Sequence, residues 1–475
     1  MKWPPITFLV AICAFLDSVE AAGPPNVLFI AVDDLRPALN CYGDRTAKTP
    51  SIDGLAKQST VFLRAYCQQA VCCPSRLSML TGMRPDTIRV WDLKTHFRDH
   101  KPNAVSLPQL FRQHGYHTQS IGKIFHGSGS PSKDPPSWSE APQFDSVRDP
   151  NLRYALQVNL AGEGLKRSAA ESADVSDHHY VDGLVCNAAL KALSKRAADK
   201  SPFFLAVGFR KPHLPFCAPQ KYWDLYDRDK IPRPLVTQAP DGAPELATRS
   251  WGELEGYSDI PKNEQLTPEK IQELRHGYYA CISYIDAQIG RLLKQLEELK
   301  LDDSTIIVLW GDHGFHLGEQ GLWTKANNYE LSTRIPLLLS APKHHKTATS
   351  TALVEVIDIY PTLAELCHLP IPAAVEGRSL VPVLKNPQQP FKSAAISQYP
   401  RMKQGNRHKS HGDIMGYTVR TPNWRYVRWQ EWKTNKLIAE ELYDMQRGQL
   451  ESRNLAGSRE YRATVQRMQK FLSHP

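Results

Sequence analysis

The sequence lacks several patterns that would assign a protein to a class at once. It contains no Asn-x-Ser/Thr glycosylation acceptor, no internal repeat and no low-complexity tract. No cysteine spacing is typical of a zinc site or of a disulfide scaffold. The missing acceptor is unexpected for a long protein of the animal secretory pathway, so we expect a bacterial origin.

The N-terminus carries a short apolar run behind a basic residue. Lys2 is followed by the run from Ile6 to Leu16 and then by Ala21-Ala22. This order is typical of a secretory signal peptide, which we place at residues 1–21. The run is too short to span a bilayer, and no later run is long enough. We therefore expect an exported protein, periplasmic or secreted rather than lysosomal, without a membrane span.

The chain is long and basic. Its 475 residues exceed what one hydrophobic core usually supports, so we expect two or more structural units. Its formal net charge of +9 favours a polyanionic partner, whether sulfated glycan, nucleic acid or anionic surface. The export signal argues against nucleic acid. Residues 401–440 hold nine Lys or Arg against three Asp or Glu, with tryptophans interleaved, which is typical of a glycan groove or of a solvated face.

Apolar runs alternate with helical patterns along the chain. Four runs predict parallel strands buried on both faces: 26–32, 203–209, 305–311 and 335–340. A core-facing helix is predicted to start at Thr267-Pro268. Strands alternating with helices favour an α/β fold with a large, mostly parallel sheet flanked by helices. From about Asn386 the segments become shorter, so we predict a catalytic domain at 22–385 and a smaller C-terminal α+β subdomain at 386–475.

One short stretch carries the strongest chemical signal. Cys72-Cys73-Pro74-Ser75-Arg76 is followed by Leu80-Thr81-Gly82. An isolated pair of cysteines is more often a pair of buried thiols or half-cystines. The flanking residues and the motifs elsewhere in the chain favour a catalytic role for Cys72.

Acidic residues follow two of the predicted strands. Asp33 and Asp34 close the first strand, and Asp312-His313 closes the third. Because the carboxyl ends of parallel strands meet at one edge of a sheet, these groups can converge on one hard cation. A single Asp-Asp pair is more often a turn or a helix cap. Without a metal, the three carboxylates are expected to cluster with no counter-charge.

These motifs together resemble those of the type I, formylglycine-dependent sulfatases. The likeness is closest to the iduronate-2-sulfatase branch and spans nearly the whole mature chain. It rests on Val32-Asp33-Asp34-Leu35-Arg36-Pro37, Cys72 to Arg76, Arg84-Pro85-Asp86-Thr87, Gly122-Lys123-Ile124-Phe125-His126, Lys211-Pro212-His213-Leu214-Pro215-Phe216, Asp312-His313-Gly314, Trp323-Thr324-Lys325, Ser397-Gln398-Tyr399-Pro400-Arg401 and Met415-Gly416-Tyr417-Thr418-Val419-Arg420-Thr421. The resemblance implies an alkaline-phosphatase-like sulfatase fold and hydrolysis of sulfate esters.

The resemblance also implies a role for each matching residue. A maturation enzyme would convert Cys72 to Cα-formylglycine, whose hydrate attacks sulfur. One Ca²⁺ would be held by an oxygen of residue 72 and by four other side chains: Asp33, Asp34, Asp312 and His313. Arg76, Lys123 and Lys325 would hold the sulfate. His126 would take a proton from the hydrate, and His213 or Lys325 would protonate the leaving group.

The resemblance further implies a sulfated oligosaccharide or polysaccharide as the substrate. We expect a 2-O-sulfated uronate of heparan or dermatan type, with the basic C-terminal unit binding its carboxylate. Phe315 departs from the pattern, since the resemblance leads us to expect Trp in the pocket there. Two alternatives stay open: a phosphoester or phosphonate hydrolase of the same superfamily, and an unmatured glycan-binding protein. With Cys72 converted and one cysteine in the leader, seven of the nine cysteines remain, which allows at most three internal disulfides.

Overall fold

The computed structural model of the protein describes Met1 and residues 23–126, 133–199, 201–250, 252–262, 264–342, 347–402, 412–446 and 450–472. The predicted signal peptide lies outside these residues apart from Met1. Part of the basic C-terminal segment, residues 403–411, lies outside them too. Within the described residues, no helix has both the length and the apolarity needed to cross a membrane.

The described residues form strands and helices that alternate over most of the chain. The strands are β1 Asn26–Val32, β2 Thr60–Tyr66, β3 His117–Gly122, β4 Ala170–Ala173, β5 Phe203–Phe209, β6 Phe216–Pro219, β7 Thr305–Gly311, β8 His316–Leu317, β9 Trp323–Thr324, β10 Arg334–Ile335, β11 Leu337–Ser340, β12 Ala348–Glu355, β13 Ala395–Arg401, β14 Ile414–Arg420, β15 Trp424–Glu431 and β16 Leu437–Asp444. The α-helices are α1 Pro50–Ala56, α2 Cys72–Thr81, α3 Pro85–Ile88, α4 Leu107–Gln113, α5 Gln157–Leu160, α6 Val181–Asp199, α7 Gln220–Trp223, α8 Pro268–Glu298, α9 Glu330–Thr333, α10 Ile359–Leu366, α11 Val381–Lys385 and α12 Arg462–Gln469.

A mixed, mostly parallel sheet of eight strands forms the centre of the large domain. Its order is β10-β2-β11-β7-β1-β5-β3, with β12 added beside β2. β1 lies between β5 and β7 and runs parallel to both. Its residues alternate between two hydrophobic cores, one on each face of the sheet. This two-sided burial explains why β1 has a continuous apolar sequence.

The predicted direction of the fourth apolar run is wrong. Leu337–Ser340 runs antiparallel to β7 and to β2. A continuous apolar run reports burial on both faces but not strand direction. Here β7 leads into an irregular segment, residues 312–333, without the long crossover helix that a parallel return requires, so the chain returns antiparallel.

The long helix predicted from its apolar stripe is α8. The side chain of Thr267 accepts a hydrogen bond from the Lys270 amide and Pro268 occupies the first turn, as predicted. Leu274, Tyr278 and most of the later members of the stripe are buried. The helix therefore packs along one face of the sheet beside α6.

The C-terminal strands form a separate antiparallel sheet, in the order β13-β14-β15-β16. This sheet is joined to the large domain by buried ion pairs, in which Glu330 of α9 binds Arg420 and Arg425. The side-chain amide of Asn328 also donates, through Nδ2, to Gly416 O at 3.0 Å. The motif around Gly416 therefore supports the segment that follows Lys325. The boundary at residue 386 stays a prediction.

The eight cysteines of the described residues are all free thiols. The sequence allows at most three internal disulfides, and the described residues form none. All of these cysteines except Cys41 are buried.

Candidate active site

Polar side chains collect where β1, β3, β5 and β7 end together. Val32 pairs with Phe209 and with Gly311, and Gly122 pairs with Gly208. The next residues of all four strands therefore emerge at one edge of the sheet. They are Asp33, Lys123, Arg210 and Asp312. This is the edge at which open α/β sheets usually bind ligands.

Two glycines let β3 and β5 approach closely at this edge. A Cβ on Gly208 would lie 2.1 Å from Lys123 O, and one on Gly122 would lie 2.1 Å from Gly208 O. Gly122 also has φ +85°, in the left-handed region that favours glycine. The close crossing fixes the path of the Lys123 backbone beside Asp33.

Cys72 is the first residue of α2 and is buried. Its Sγ lies 3.3 Å from His313 Nε2. Burial, and secondly the nearby Asp33 carboxylate, raise the pKa of the Cys72 thiol well above its usual value. An unmodified thiol here is therefore neutral and a poor nucleophile. Ser75 Oγ donates to Asp312 O at 2.5 Å, which ties the first turn of α2 to the end of β7.

Arg76 is fully buried between two of the acidic groups. Its Nε donates to Asp312 Oδ2 at 2.7 Å and its Nη2 to Asp33 Oδ1 at 3.3 Å. Its Nη1 donates to Lys123 O and to Ile124 O. The guanidinium therefore links α2 to the ends of β1, β3 and β7.

Two lysines neutralise the remaining charge of the first acidic pair. Lys123 Nζ lies 2.5 Å from Asp33 Oδ2. Lys325 Nζ lies 2.9 Å from Asp34 Oδ2 and 2.8 Å from Glu253 Oε2. The expectation that these carboxylates cluster without counter-charge is therefore wrong, because each of the three has a cationic partner.

The predicted metal ligands lie together. Ligand atoms of Asp33, Cys72, Asp312 and His313 all lie within 4.8 Å of one another, and those of Asp33, Asp34, Cys72 and His213 form a second, overlapping group. His313 Nδ1 lies 3.0 Å from Gly314 O and Nε2 lies 3.4 Å from Asp34 Oδ1. A proton on Nδ1, donated to Gly314 O, leaves the Nε2 lone pair facing the carboxylates, as a metal ligand requires.

The two other histidines occupy different surroundings. His126 Nδ1 is buried and has no hydrogen-bond partner among the described residues. Burial, and secondly Lys123, lower the pKa of His126 to about 3. His213 has an acceptor at each ring nitrogen: Nδ1 lies 2.6 Å from Leu214 O and Nε2 lies 3.2 Å from Glu253 Oε1. This geometry accommodates the doubly protonated imidazolium.

Glu253 is a site residue that the sequence analysis missed. It lies in the irregular segment between α7 and α8, outside every motif and every periodic pattern. Its partners, Lys325 and His213, are distant in sequence. Burial disfavours its charge, but Lys325 and His213 outweigh this and hold the pKa of Glu253 well below its usual value. No signal in the sequence identifies it.

Phe315 does not occupy the place predicted for it. It is fully buried and stacks on Tyr278, with ring centroids 5.5 Å apart. Lys325 Nζ lies 5.8 Å from the centre of its ring. The side chain therefore packs behind Lys325 in the core, and the expectation that it is a pocket aromatic is wrong.

Comparison with known proteins identifies the family. The family described as Sulfatase matches residues 25–369. The chain belongs to the sulfatase family. A second match, N-sulphoglucosamine sulphohydrolase, C-terminal, covers residues 318–474 of this sulfatase. The family assignment makes the protein a sulfuric ester hydrolase.

Among curated relatives, this sulfatase is 34% identical to iduronate 2-sulfatase of Mus musculus, over 94% of this chain and 93% of the relative. It is also 34% identical to iduronate 2-sulfatase of Homo sapiens, over 93% and 92% of the two chains. Among solved structures, a phosphonate monoester hydrolase of Agrobacterium radiobacter is similar with a TM-score of 0.78 and 21% identity, over 94% of this chain and 95% of that one. A protein in complex with its substrate D-glucosamine-2-N,6-O-disulfate gives a TM-score of 0.74 with 22% identity, over 95% and 97%. These structural likenesses show the fold.

Proposed function

We propose that this sulfatase hydrolyses the sulfate ester of a sulfated sugar. The substrate class is a 2-O-sulfated uronate of heparan- or dermatan-type glycosaminoglycans. The observation that carries the proposal is the buried cluster around Cys72, in which Arg76, Lys123 and Lys325 surround the position of the nucleophile. The identity to iduronate 2-sulfatases over nearly the whole chain supports the uronate.

The charge of this cluster supports a bound divalent cation. Asp33, Asp34, Asp312 and Glu253 supply four negative charges. Arg76, Lys123, Lys325 and a His213 that carries the proton for the leaving group only balance them. A neutral cluster gives an anionic sulfate ester no net attraction, whereas a bound divalent ion would make the cluster positive. Asp33, Asp34, Asp312, His313 and an oxygen of residue 72 would hold Ca²⁺. Bound there, the ion would supply positive charge beside the sulfate oxygens.

We place the nucleophile at residue 72. The neutral thiol is a poor nucleophile, which supports conversion of Cys72 by a formylglycine-generating maturation enzyme. Formylglycine at this position would supply, through its hydrate, one hydroxyl for attack on sulfur and a second to expel sulfate. Arg76 and Lys123, both buried, bind the sulfate oxygens and hold residue 72 in orientation.

Proton transfer is divided between two histidines. Burial and Lys123 keep the His126 imidazole neutral but make it a weak base, with a pKa of about 3. We propose that it accepts a proton from residue 72 once the negative charge of the bound sulfate raises this pKa. His213 lies against Glu253 and donates a proton to the leaving sugar oxygen. Lys325 is bonded to Asp34 and to Glu253, so we assign it to charge stabilisation and not to proton transfer.

Glu253→Gln is expected to slow turnover of sulfated sugars by about 10- to 100-fold. The substitution removes the carboxylate that orients His213, which matters most when the leaving group needs a proton. Nitrophenolate leaves readily without one, so the loss on nitrophenyl sulfate should be at least about tenfold smaller. The measurement is kcat on both substrates. Glu255→Gln is the matched control, since Glu255 lies two residues away and accepts from Ser250. Equal losses on both substrates would remove Glu253 from the proton pathway.

The substrate class is tested with defined disaccharides. Each carries one sulfate, at the uronate 2-position or at the hexosamine 4-, 6- or N-position, and released sulfate is measured. We expect kcat/KM for the uronate ester to exceed the others by at least about tenfold. Release mainly from a hexosamine position would contradict the uronate assignment but leave the sulfatase assignment intact. Nitrophenyl phosphate, compared with nitrophenyl sulfate, tests the phosphoester alternative.

We also propose that the chain is exported through residues 1–21, as the composition of the leader indicates. Retention of the leader on the protein recovered from the periplasm or medium, read by mass spectrometry of its N-terminus, would contradict this.

A further inference from the structure

A cavity of about 140 Å³ opens beside the proposed sulfate site. One part of its wall is formed by Asp33, Lys123 and His213, which belong to the catalytic cluster. The other part carries Arg153, Arg210 and Lys211. One water molecule occupies about 30 Å³ in the liquid, so the cavity is several times larger than one water. A group attached to the same sugar ring as the reacting ester can therefore enter it.

Arg210 has a buried donor that nothing in the described structure satisfies. It follows β5 directly, at the edge of the sheet that carries Asp33 and Asp312. Its Nη2 donates only to main-chain carbonyls, those of Phe144 at 3.2 Å and Asp145 at 2.7 Å. Its Nε is buried without a hydrogen-bond partner among the described residues. An unpaired donor of this kind is costly in a free protein and is a common mark of a ligand contact.

Arg210 also lacks an anionic side-chain partner. The Asp182 carboxylate accepts hydrogen bonds from the backbone amides of Arg210 and Lys211, not from the Arg210 guanidinium. Burial lowers the pKa of the Arg210 guanidinium, and Asp182 does not compensate for it. Arg153 forms no ion pair among the described residues, and the Lys211 amine donates to the carbonyls of His213 and Pro215. Arg153 and Arg210 therefore line the cavity without a carboxylate partner among the described residues, while the Asp33 carboxylate in the same wall is paired with Arg76 and Lys123.

We infer that this cavity is an anion subsite in which Arg210, assisted by Arg153, binds the carboxylate of the uronate whose sulfate is removed. The inference rests on the proposed function, because it assumes that the reacting sugar is a uronate. A carboxylate would accept a charge-assisted hydrogen bond from the unpartnered Nε of Arg210, whose Nη2 is already held by the Phe144 and Asp145 carbonyls. The inference also assigns recognition of the uronate carboxylate to the large domain, whereas the sequence led us to expect the basic C-terminal unit to bind it.

The test compares two substrates that differ in one group. One is a 2-O-sulfated uronate disaccharide, and the other is the same disaccharide with its carboxyl reduced to an alcohol. The wild-type enzyme should prefer the charged form by about 10- to 100-fold in kcat/KM, mainly through KM. In Arg210→Gln the preference should fall to within about threefold, and Arg210→Lys should restore part of it.

The matched control is Arg148→Gln, which removes one positive charge from an exposed residue of the same region that does not line the cavity. It should keep the wild-type preference. Equal rates on both disaccharides in the wild-type enzyme would overturn the inference while the proposed function stands. Equal losses on both in Arg210→Gln would also overturn it, because a structural role lowers both. If the wild-type enzyme releases sulfate only from hexosamine positions, the uronate part of the proposed function fails and the inference fails with it.

Discussion

Cys72→Ala is expected to lower kcat/KM on any sulfate ester by at least about a thousandfold, because it removes the group that attacks sulfur. The melting temperature should change by no more than a few degrees. Cys72 contributes little packing area, and α2 remains attached through Ser75 and Arg76. Activity and thermal unfolding are measured on the same preparation. Mass spectrometry of the wild-type peptide that contains Cys72 shows whether the thiol has become an aldehyde.

Cys73→Ala is the matched control. Cys73 is also fully buried, but its Sγ lies 3.9 Å from Thr95 O, away from the catalytic cluster. We expect kcat/KM within about threefold of the wild-type value, with a loss of about 1 kcal/mol in the free energy of unfolding. An inactive Cys73→Ala with an active Cys72→Ala would show that the wrong cysteine was chosen. More than trace turnover in Cys72→Ala would refute covalent catalysis at this residue.

The parts of the fold that the sequence predicts are those whose burial is uniform. β1, β5 and β7 are buried on both faces, so nearly all of their residues are apolar and the ends of the strands are easily located in the sequence. The site residues follow those strand ends directly, which is why the sequence alone predicts that Asp33, Asp34, Asp312 and His313 lie together.

The sequence does not predict β3 as a strand, and the reason is physical. Its sequence, His-Thr-Gln-Ser-Ile-Gly, is largely polar, yet all but the first residue are buried. The polar groups are satisfied by the neighbouring segment, where Thr118 Oγ1 donates to Ser137 O and the Thr118 amide donates to Ser139 Oγ. Such compensation depends on residues about twenty positions away, so it leaves no periodic pattern.

Glu253 and Arg210 were missed for a related reason. Glu253 meets His213 and Lys325 only through the tertiary path of an irregular segment, and the surroundings of Arg210 likewise depend on a distant segment, that of Phe144 and Asp145. Arg210 directly precedes the motif Lys211-Pro212-His213, but the sequence does not reveal that its Nε lacks a partner. The expectation that the carboxylates lack counter-charge failed in the same way, because Arg76, Lys123 and Lys325 reach them from other elements of the fold.

Removal of the metal is expected to abolish turnover without unfolding the protein. Chelation should reduce sulfate release below detection, and added Ca²⁺ should restore it, since without the ion the cluster has no net positive charge to hold the ester. The stripped protein should stay folded, because Asp33, Asp34 and Asp312 each keep a cationic partner. Ca²⁺ should nevertheless raise the melting temperature, as any ligand of the native state does. Full activity in a sample shown by elemental analysis to be metal-free would remove the ion from the mechanism.

Asp312→Asn tests the same site from the side of the protein. Asp312 is fully buried and binds Arg76, so the amide keeps its shape but loses the charge that both Arg76 and the ion need. We expect turnover to fall by at least about a thousandfold and the Ca²⁺-dependent rise in melting temperature to disappear. Asp134→Asn is the control, because Asp134 is equally buried and pairs with Arg98 outside the site. It should lower the melting temperature yet keep the rise with Ca²⁺. If Asp312→Asn kept that rise while Asp134→Asn lost it, the ion would bind somewhere other than the end of β7.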